Sequence, residues 1–180
     1  MIMKEDIQEI LLSEEQIKET VEKLGRQISE DYRDKNLVLV SVLKGSVVFM
    51  ADLMRNVTIP CEIEFMAVSS YGKGTKTSGN VKIIKDLDRS VEGMDLLIVE
   101  DILDSGRTLS YLREMLKQRN ANSIKICTLL DKPERREADI KADYFGAVIP
   151  DAFAVGYGLD YAEKYRNLPY IGILKPSVYE

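Results

Sequence analysis

Leu96-Leu97-Ile98-Val99-Glu100-Asp101-Ile102-Leu103-Asp104-Ser105-Gly106-Arg107-Thr108 lies within a chain of 180 residues. Its first four residues are apolar without alternation, the pattern of a strand covered on both faces. The apolar run is predicted to end at Glu100-Asp101, and a short Asp/Ser/Gly loop follows. Leu109, Leu112, Met115 and Leu116 then mark one face of a helix. A buried strand, a polar loop and an amphipathic helix form the repeating unit of an α/β fold.

The flanking sequence repeats the unit. Leu37-Val38-Leu39-Val40-Ser41-Val42-Leu43 reads as a second buried strand, Lys44-Gly45-Ser46 interrupts it, and residues 47–55 suit a short buried helix. Residues 61–69, 81–85, 124–130, 144–149 and 170–174 read as further strands. Ser13 with Gln16 forms a capping box, Leu12 and Ile17 a hydrophobic staple. Ile17, Val21, Leu24, Ile28 and Tyr32 then follow at helical spacing. Residues 71–80 hold Gly72, Gly74, Gly79, Lys73 and Lys76 and no acid, so they are predicted to form a mobile loop of a β-ribbon. The predicted fold is α/β, one domain over residues 1–180. Its sheet is mainly parallel and twisted, with helices on both faces because crossovers are right-handed. Ligands of such sheets bind beyond the carboxyl ends of the strands. Lys44-Gly45, residues 100–108 and Asp131-Lys132 fall there.

Composition removes several chemistries. Without histidine there is no Ser-His-Asp triad, Cys-His pair or His-ligated metal. Cys61 and Cys127 are too far apart for a CxxC motif and sit in apolar runs, which predicts buried, reduced thiols. Lys and Arg number 25 against 30 Asp and Glu, a net charge of −5, which argues against a general nucleic-acid coat. No apolar run is long enough to span a membrane, and the first residues carry no signal-peptide pattern. A cytoplasmic protein without nucleic-acid or membrane partners is expected.

Residues 100–108 carry the chemistry. Gly106 lets the backbone approach a ligand closely, and amides from Ser105 to Thr108 open a helix, where an anion is favoured. The hydroxyls of Ser105 and Thr108 add donors. Glu100 and Asp101 oppose a bare phosphate, but carboxylates accept hydrogen bonds from sugar hydroxyls and tolerate a neighbouring magnesium ion. A phosphorylated sugar with Mg2+ therefore suits the segment. Gly74 to Gly79 has Walker A glycine spacing but continues Asn80-Val81. Gly72-Lys73-Gly74 and Gly156-Tyr157-Gly158 lack the third glycine of a dinucleotide fingerprint.

Val99 to Thr108 resembles the phosphoribosyl-diphosphate signature of type I phosphoribosyltransferases, and Leu43-Lys44-Gly45 resembles their diphosphate loop. Ser69-Ser70-Tyr71-Gly72, Leu129-Leu130-Asp131-Lys132, residues 153–161 (from Phe153-Ala154 to Asp160-Tyr161) and Tyr165-Arg166 resemble segments of the 6-oxopurine branch. The resemblance implies the family fold, with a small hood and a mobile β-ribbon loop. It implies Mg-dependent transfer of 5-phosphoribosyl from 5-phosphoribosyl 1-diphosphate to N9 of hypoxanthine or guanine. Xanthine stays open as a third base, and IMP or GMP and diphosphate are the products.

By the same resemblance Asp104 matches a general base near purine N7. Glu100 and Asp101 match a pair near the ribose hydroxyls, and Ser105, Gly106, Arg107 and Thr108 a 5-phosphate cradle. Lys44, Gly45 and Arg166 match diphosphate contacts, with a strained peptide often found at Leu43-Lys44. Lys132 matches the donor to purine O6, Phe153 the stacking ring, and Ala154 and Asp160 the rest of the purine site. Glu100, Asp101 and Asp160 match metal contacts, and Ser70 and Tyr71 a flap that excludes water. Arg107 stands where some members have Lys, and Ala154 where a bulkier aliphatic is common. A homodimer or tetramer is implied.

Several of these residues also have blander readings. Lys44-Gly45 could be an ordinary turn, Lys132 a surface lysine before Pro133, Phe153 a core residue, and Asp160 with Arg166 a surface pair. Arg135-Arg136 reads as a solvated face. Tyr157, Tyr161 and Tyr165 step by four, which suits a helix face as well as base stacking. A regulator binding nucleotide or RNA on the same fold is the rival function; Asp104 and the acidic balance weaken it.

Overall fold

Leu37, Leu39, Leu97, Val99 and Cys127 lie in one buried cluster, and Val38, Val40, Leu96, Ile98 and Ile126 in another. Side chains alternate along a strand, so these residues cover opposite faces of one sheet. That is why the central strands read as unbroken apolar runs.

A computed structural model describes residues 2–70 and 81–179. In chain order the elements are α1 (Ile2–Glu5), β1 (Ile7–Leu12), α2 (Glu14–Asp31), β2 (Leu37–Leu43), α3 (Val47–Asn56), β3 (Glu62–Ser70) and β4 (Val81–Lys85). There follow β5 (Asp95–Leu103), α4 (Arg107–Lys117), β6 (Ser123–Asp131), a 3-10 turn (Pro133–Arg135), β7 (Tyr144–Val148), β8 (Ala154–Val155), β9 (Ile171–Leu174) and α5 (Pro176–Tyr179). The main sheet has the order β4-β3-β2-β5-β6-β7. All its pairings are parallel except that of β3 with β4.

One face carries α2 and α3, the other α4 through Leu109, Leu112 and Leu116. Each such leucine contributes about 1.5–3 kcal/mol by burial. The capping box of α2 is present: Ser13 N donates to Gln16 Oε1 at 2.9 Å and Gln16 N to Ser13 Oγ at 3.2 Å. Ile17, Val21, Leu24, Ile28 and Tyr32 are all buried.

A three-stranded antiparallel sheet, β1-β9-β8, forms the small hood. The sequence did not mark β1, because Gln8, Glu9 and Ile10 are consecutively exposed and no period of two survives. Ile171 of β9 nevertheless joins the core beneath α2 and α3.

Three expectations need correction. First, β5 does not stop at Glu100-Asp101 but runs to Leu103, because Ile102 and Leu103 still pair with Leu130 and Asp131 of β6. Second, the tyrosines at 157, 161 and 165 share no helix. Tyr157, Ala162, Glu163 and Tyr165 have positive φ, and paired bridges at Gly156–Leu159 and Tyr161–Lys164 make a chain of tight turns. Third, Cys127 is buried but Cys61 is only partly so; both are free thiols, and burial raises the pKa of each. The expected flap falls largely outside the described residues: the Ser70 backbone closes β3, but its side chain and residues 71–80 are not among them.

Candidate active site

Parallel pairing aligns the carboxyl ends of β2, β5 and β6, and the loops that follow them surround one site. After β2, the Leu43–Lys44 peptide is cis. Ser46 Oγ donates to Val42 O at 2.6 Å and lies 2.8 Å from Ser41 Oγ, so buried hydroxyls brace the Lys44-Gly45 loop from below. A Cβ on Gly45 would lie 1.8 Å from Asp101 Oδ2. Only glycine lets this loop lie on the Asp101 carboxylate.

Glu100 and Asp101 are consecutive in β5 and therefore project to opposite sides. Asp101 faces the Gly45 loop, and Ile102 N donates to its Oδ1 at 2.8 Å. Burial pushes its pKa up to about 6; the backbone donors and Arg166 oppose the rise, while Asp160 adds to it. Glu100 lines a cavity of about 210 Å³ with Asp104, Ser105, Gly106 and Thr108. Its Oε2 is inaccessible and has no hydrogen-bond partner among the described residues. Burial, and then the Asp101 charge, hold the Glu100 carboxyl well above the usual carboxylate range.

Gly106 caps α4 with φ +79, a conformation that costs glycine nothing and other residues strain. The first amides of α4 open beside this cavity, as an anion site requires. Arg107 begins the helix and pairs with Glu137 at 2.5 Å. Arg107 N lies 3.5 Å from Ser105 Oγ.

A second cavity of about 510 Å³ is lined by Ile102, Asp104, Lys132, Phe153, Ala154 and Asp160, among others. Lys132 is buried there, not a surface lysine. Its Nζ donates to Ala152 O at 2.8 Å and lies 3.7 Å from Asp151 Oδ1. Phe153 is 38% exposed, not core, and lines this cavity. Ile102 and Asp104 belong to both cavities. Asp104 Oδ1 is inaccessible and without a hydrogen bond, with Arg135 Nε 3.5 Å away.

Arg166 closes the side nearest Lys44. It donates from Nη1 to Gly158 O at 2.8 Å and from Nη2 to Asp160 Oδ1 at 2.8 Å. Glu163 reaches both cations: its Oε2 lies 3.2 Å from Lys44 Nζ and 3.4 Å from Arg166 Nη2. A carboxylate thus spans two groups predicted to meet diphosphate.

The site residues within the described chain are brought to one end of the sheet, but the carboxylates do not converge. No group of three or more Cys, Asp or Glu side chains among the described residues is arranged to hold a metal ion. Sequence reasoning missed Arg136, read above as solvated. It donates to the carbonyls of Asp104 (2.9 Å), Ile140 (2.7 Å) and Leu103 (3.2 Å) and pairs with Asp131. Tyr179 and Glu163 also carried no sequence signal.

Residues 8–162 match the family model of the phosphoribosyl transferase domain. The chain is 60% identical to the hypoxanthine-guanine phosphoribosyltransferase of Bacillus subtilis (strain 168) over 179 residues, 99% of each protein. It superposes on a hypoxanthine phosphoribosyltransferase from Staphylococcus aureus with a TM-score of 0.97 at 54% identity, covering 100% of this chain and 98% of that one. A hypoxanthine phosphoribosyltransferase from Trypanosoma cruzi, solved as a ternary substrates complex, gives 0.92 at 44% identity over 98% and 100% of the two chains.

Proposed function

Because the chain belongs to the phosphoribosyl transferase family, we propose that it transfers 5-phosphoribosyl from 5-phosphoribosyl 1-diphosphate to N9 of hypoxanthine or guanine in purine salvage. Asp104 at the junction of the two cavities carries this reading. The smaller cavity, with its helix start and hydroxyls, takes the 5-phosphate. The larger one, with an aromatic ring and a buried ammonium, takes the base. The bond that forms must lie between them, within reach of Asp104.

The Asp104 carboxylate accepts the N7 proton as the glycosidic bond forms. Lys132 donates to a 6-oxo group and rejects a 6-amino group, which offers no acceptor there. Lys44, Gly45 and Arg166 receive the leaving diphosphate. Charge developing on an oxocarbenium-like ribose is stabilised by fixed dipoles and carboxylates.

The donor set also fits a magnesium ion bound in part by substrate. Mg2+ is held through one or two carboxylates and substrate oxygens, not by an all-protein cage, and Glu100 keeps a buried, unpartnered oxygen. Of the carboxylates expected to contact metal, Glu100 on one side of β5, or Asp101 with Asp160 on the other, would contact it. When bound, the ion neutralises diphosphate charge as that group departs. Residues 1–180 form one domain, and the protein works in the cytoplasm as a homo-oligomer, a dimer or tetramer.

The test is a spectrophotometric assay with 5-phosphoribosyl 1-diphosphate, Mg2+ and each of hypoxanthine, guanine, xanthine and adenine. Hypoxanthine and guanine are expected to react and adenine to be rejected. Asp104→Asn should lower kcat by about 100-fold or more with little change in KM for the diphosphate substrate. An unchanged kcat removes the base role, and no turnover of any base by a folded protein that binds the diphosphate substrate favours the regulator.

A further inference from the structure

Tyr179, on α5, stacks on Phe153 with ring centroids 5.0 Å apart and planes inclined by 26°. Tyr161 meets both rings edge-on, at 5.5 Å from Phe153 and 6.4 Å from Tyr179. Tyr179 also lines the larger cavity together with Lys132 and Asp104. Its placement does not depend on the stack alone. Lys175 N donates to Asp6 O at 2.9 Å and Lys175 Nζ to Glu5 O at 2.6 Å, and Val178 packs into the hood core. The turn that carries Tyr179 is therefore fastened through the residues that precede the ring.

An exposed phenylalanine samples a broad range of χ2, which narrows when a base stacks on the ring. A neighbour that already fixes the ring plane removes that cost before the base arrives. We infer that Tyr179 is a positioning residue of the purine site, holding the Phe153 ring in the orientation that receives the base. The inference rests on the proposed reaction and extends the base site to α5, a segment outside residues 8–162 matched by the family model.

The measurement is steady-state kinetics of the full chain, wild type against Tyr179→Ala and Tyr179→Phe, with each substrate varied in turn. Geometry-specific aromatic pairing corresponds to about a threefold to tenfold change in affinity. Tyr179→Ala should raise KM for hypoxanthine by that factor and weaken GMP binding equally, with kcat and KM for the diphosphate substrate moving less than about twofold. Tyr179→Phe, which keeps the ring, should restore the base KM. Three results overturn the inference: an unchanged base KM in Tyr179→Ala, a lowered one, which would mean the ring occupies the base's own place, or a Tyr179→Phe variant as impaired as Tyr179→Ala. Absence of turnover in the wild type would instead overturn the underlying reaction, so the two failures are distinct. GMP binding by equilibrium dialysis keeps the inference testable in that case.

Discussion

Arg136 holds the carbonyls of Leu103 and Asp104, the two residues from which the β5–α4 loop departs. Its guanidinium also pairs with Asp131, next to Lys132. One planar fork therefore ties the loop bearing Asp104, the proposed base, to the strand end bearing Lys132, the proposed purine donor. Arg136→Lys keeps the charge opposite Asp131 but replaces the fork with a point charge. The carbonyls of Asp104 and Ile140 would lose their donors, at a cost of about 1–3 kcal/mol each, while Leu103 O keeps the Lys132 amide. The expected outcome is a lower denaturation midpoint and a kcat reduced about tenfold or more, since small displacements of a reacting group cost rate steeply. Chemical denaturation and initial rates on one preparation check this; a destabilised variant with unchanged kcat would separate the clamp from catalysis. No sequence rule finds Arg136. It lies beside Arg135 in a charged segment, and its partners are mostly backbone carbonyls distant in sequence. Lys132 and Phe153 were equally ambiguous in isolation, because burial of a lysine and exposure of a phenylalanine both run against residue preference.

Elements were legible where burial alone dictates them. β2 and the central stretches of β5 and β6 are buried on both faces, so their existence as strands was legible, although the carboxyl end of β5 was not. The loop at 156–166 is the opposite case. Its turns depend on positive φ at Tyr157, Ala162, Glu163 and Tyr165, which no local preference of those residues predicts. The conformation is imposed by packing: a Cβ on Gly158 would lie 2.1 Å from Gly45 O, and Tyr165 Oη donates to Asp6 Oδ2 at 2.8 Å. This element presents Glu163 to Lys44 and Arg166, and the Lys44 contact first, then Arg166, holds the Glu163 carboxyl below its ordinary pKa. If Lys44 and Arg166 receive diphosphate as proposed, a carboxylate there competes with it for the same cations. Glu163→Gln is expected to lower KM for 5-phosphoribosyl 1-diphosphate, and to strengthen inhibition by inorganic diphosphate, by about twofold to fivefold, the scale of an exposed pair. The effect should shrink at high salt. A raised KM would mean that Glu163 orients Lys44 and does not compete.

At the scale of the whole molecule the distribution of charge decides what the site can accept. The chain carries −5 overall, and Glu100, Asp101, Asp104 and Asp160 stand at the site itself. The ligand proposed for it carries a phosphate and a diphosphate. The helix start, Lys44 and Arg166 offset part of this, but Arg166 is engaged by Asp160 and Glu163 and Lys44 by Glu163. Anion would then face carboxylate at short range, where repulsion is strong. A divalent cation arriving with the diphosphate would reverse the sign of the contact and make the acidic half of the site compatible with an anionic substrate. Removal of divalent cations with excess chelator should therefore abolish turnover, and added Mg2+ should restore it. Binding of 5-phosphoribosyl 1-diphosphate, followed by calorimetry, should weaken in the chelated sample, while thermal stability of the unliganded protein should not change, because no closed metal cage is present among the described residues. Full turnover in chelator would show that the protein's own cations suffice and that the carboxylates serve the ribose hydroxyls alone.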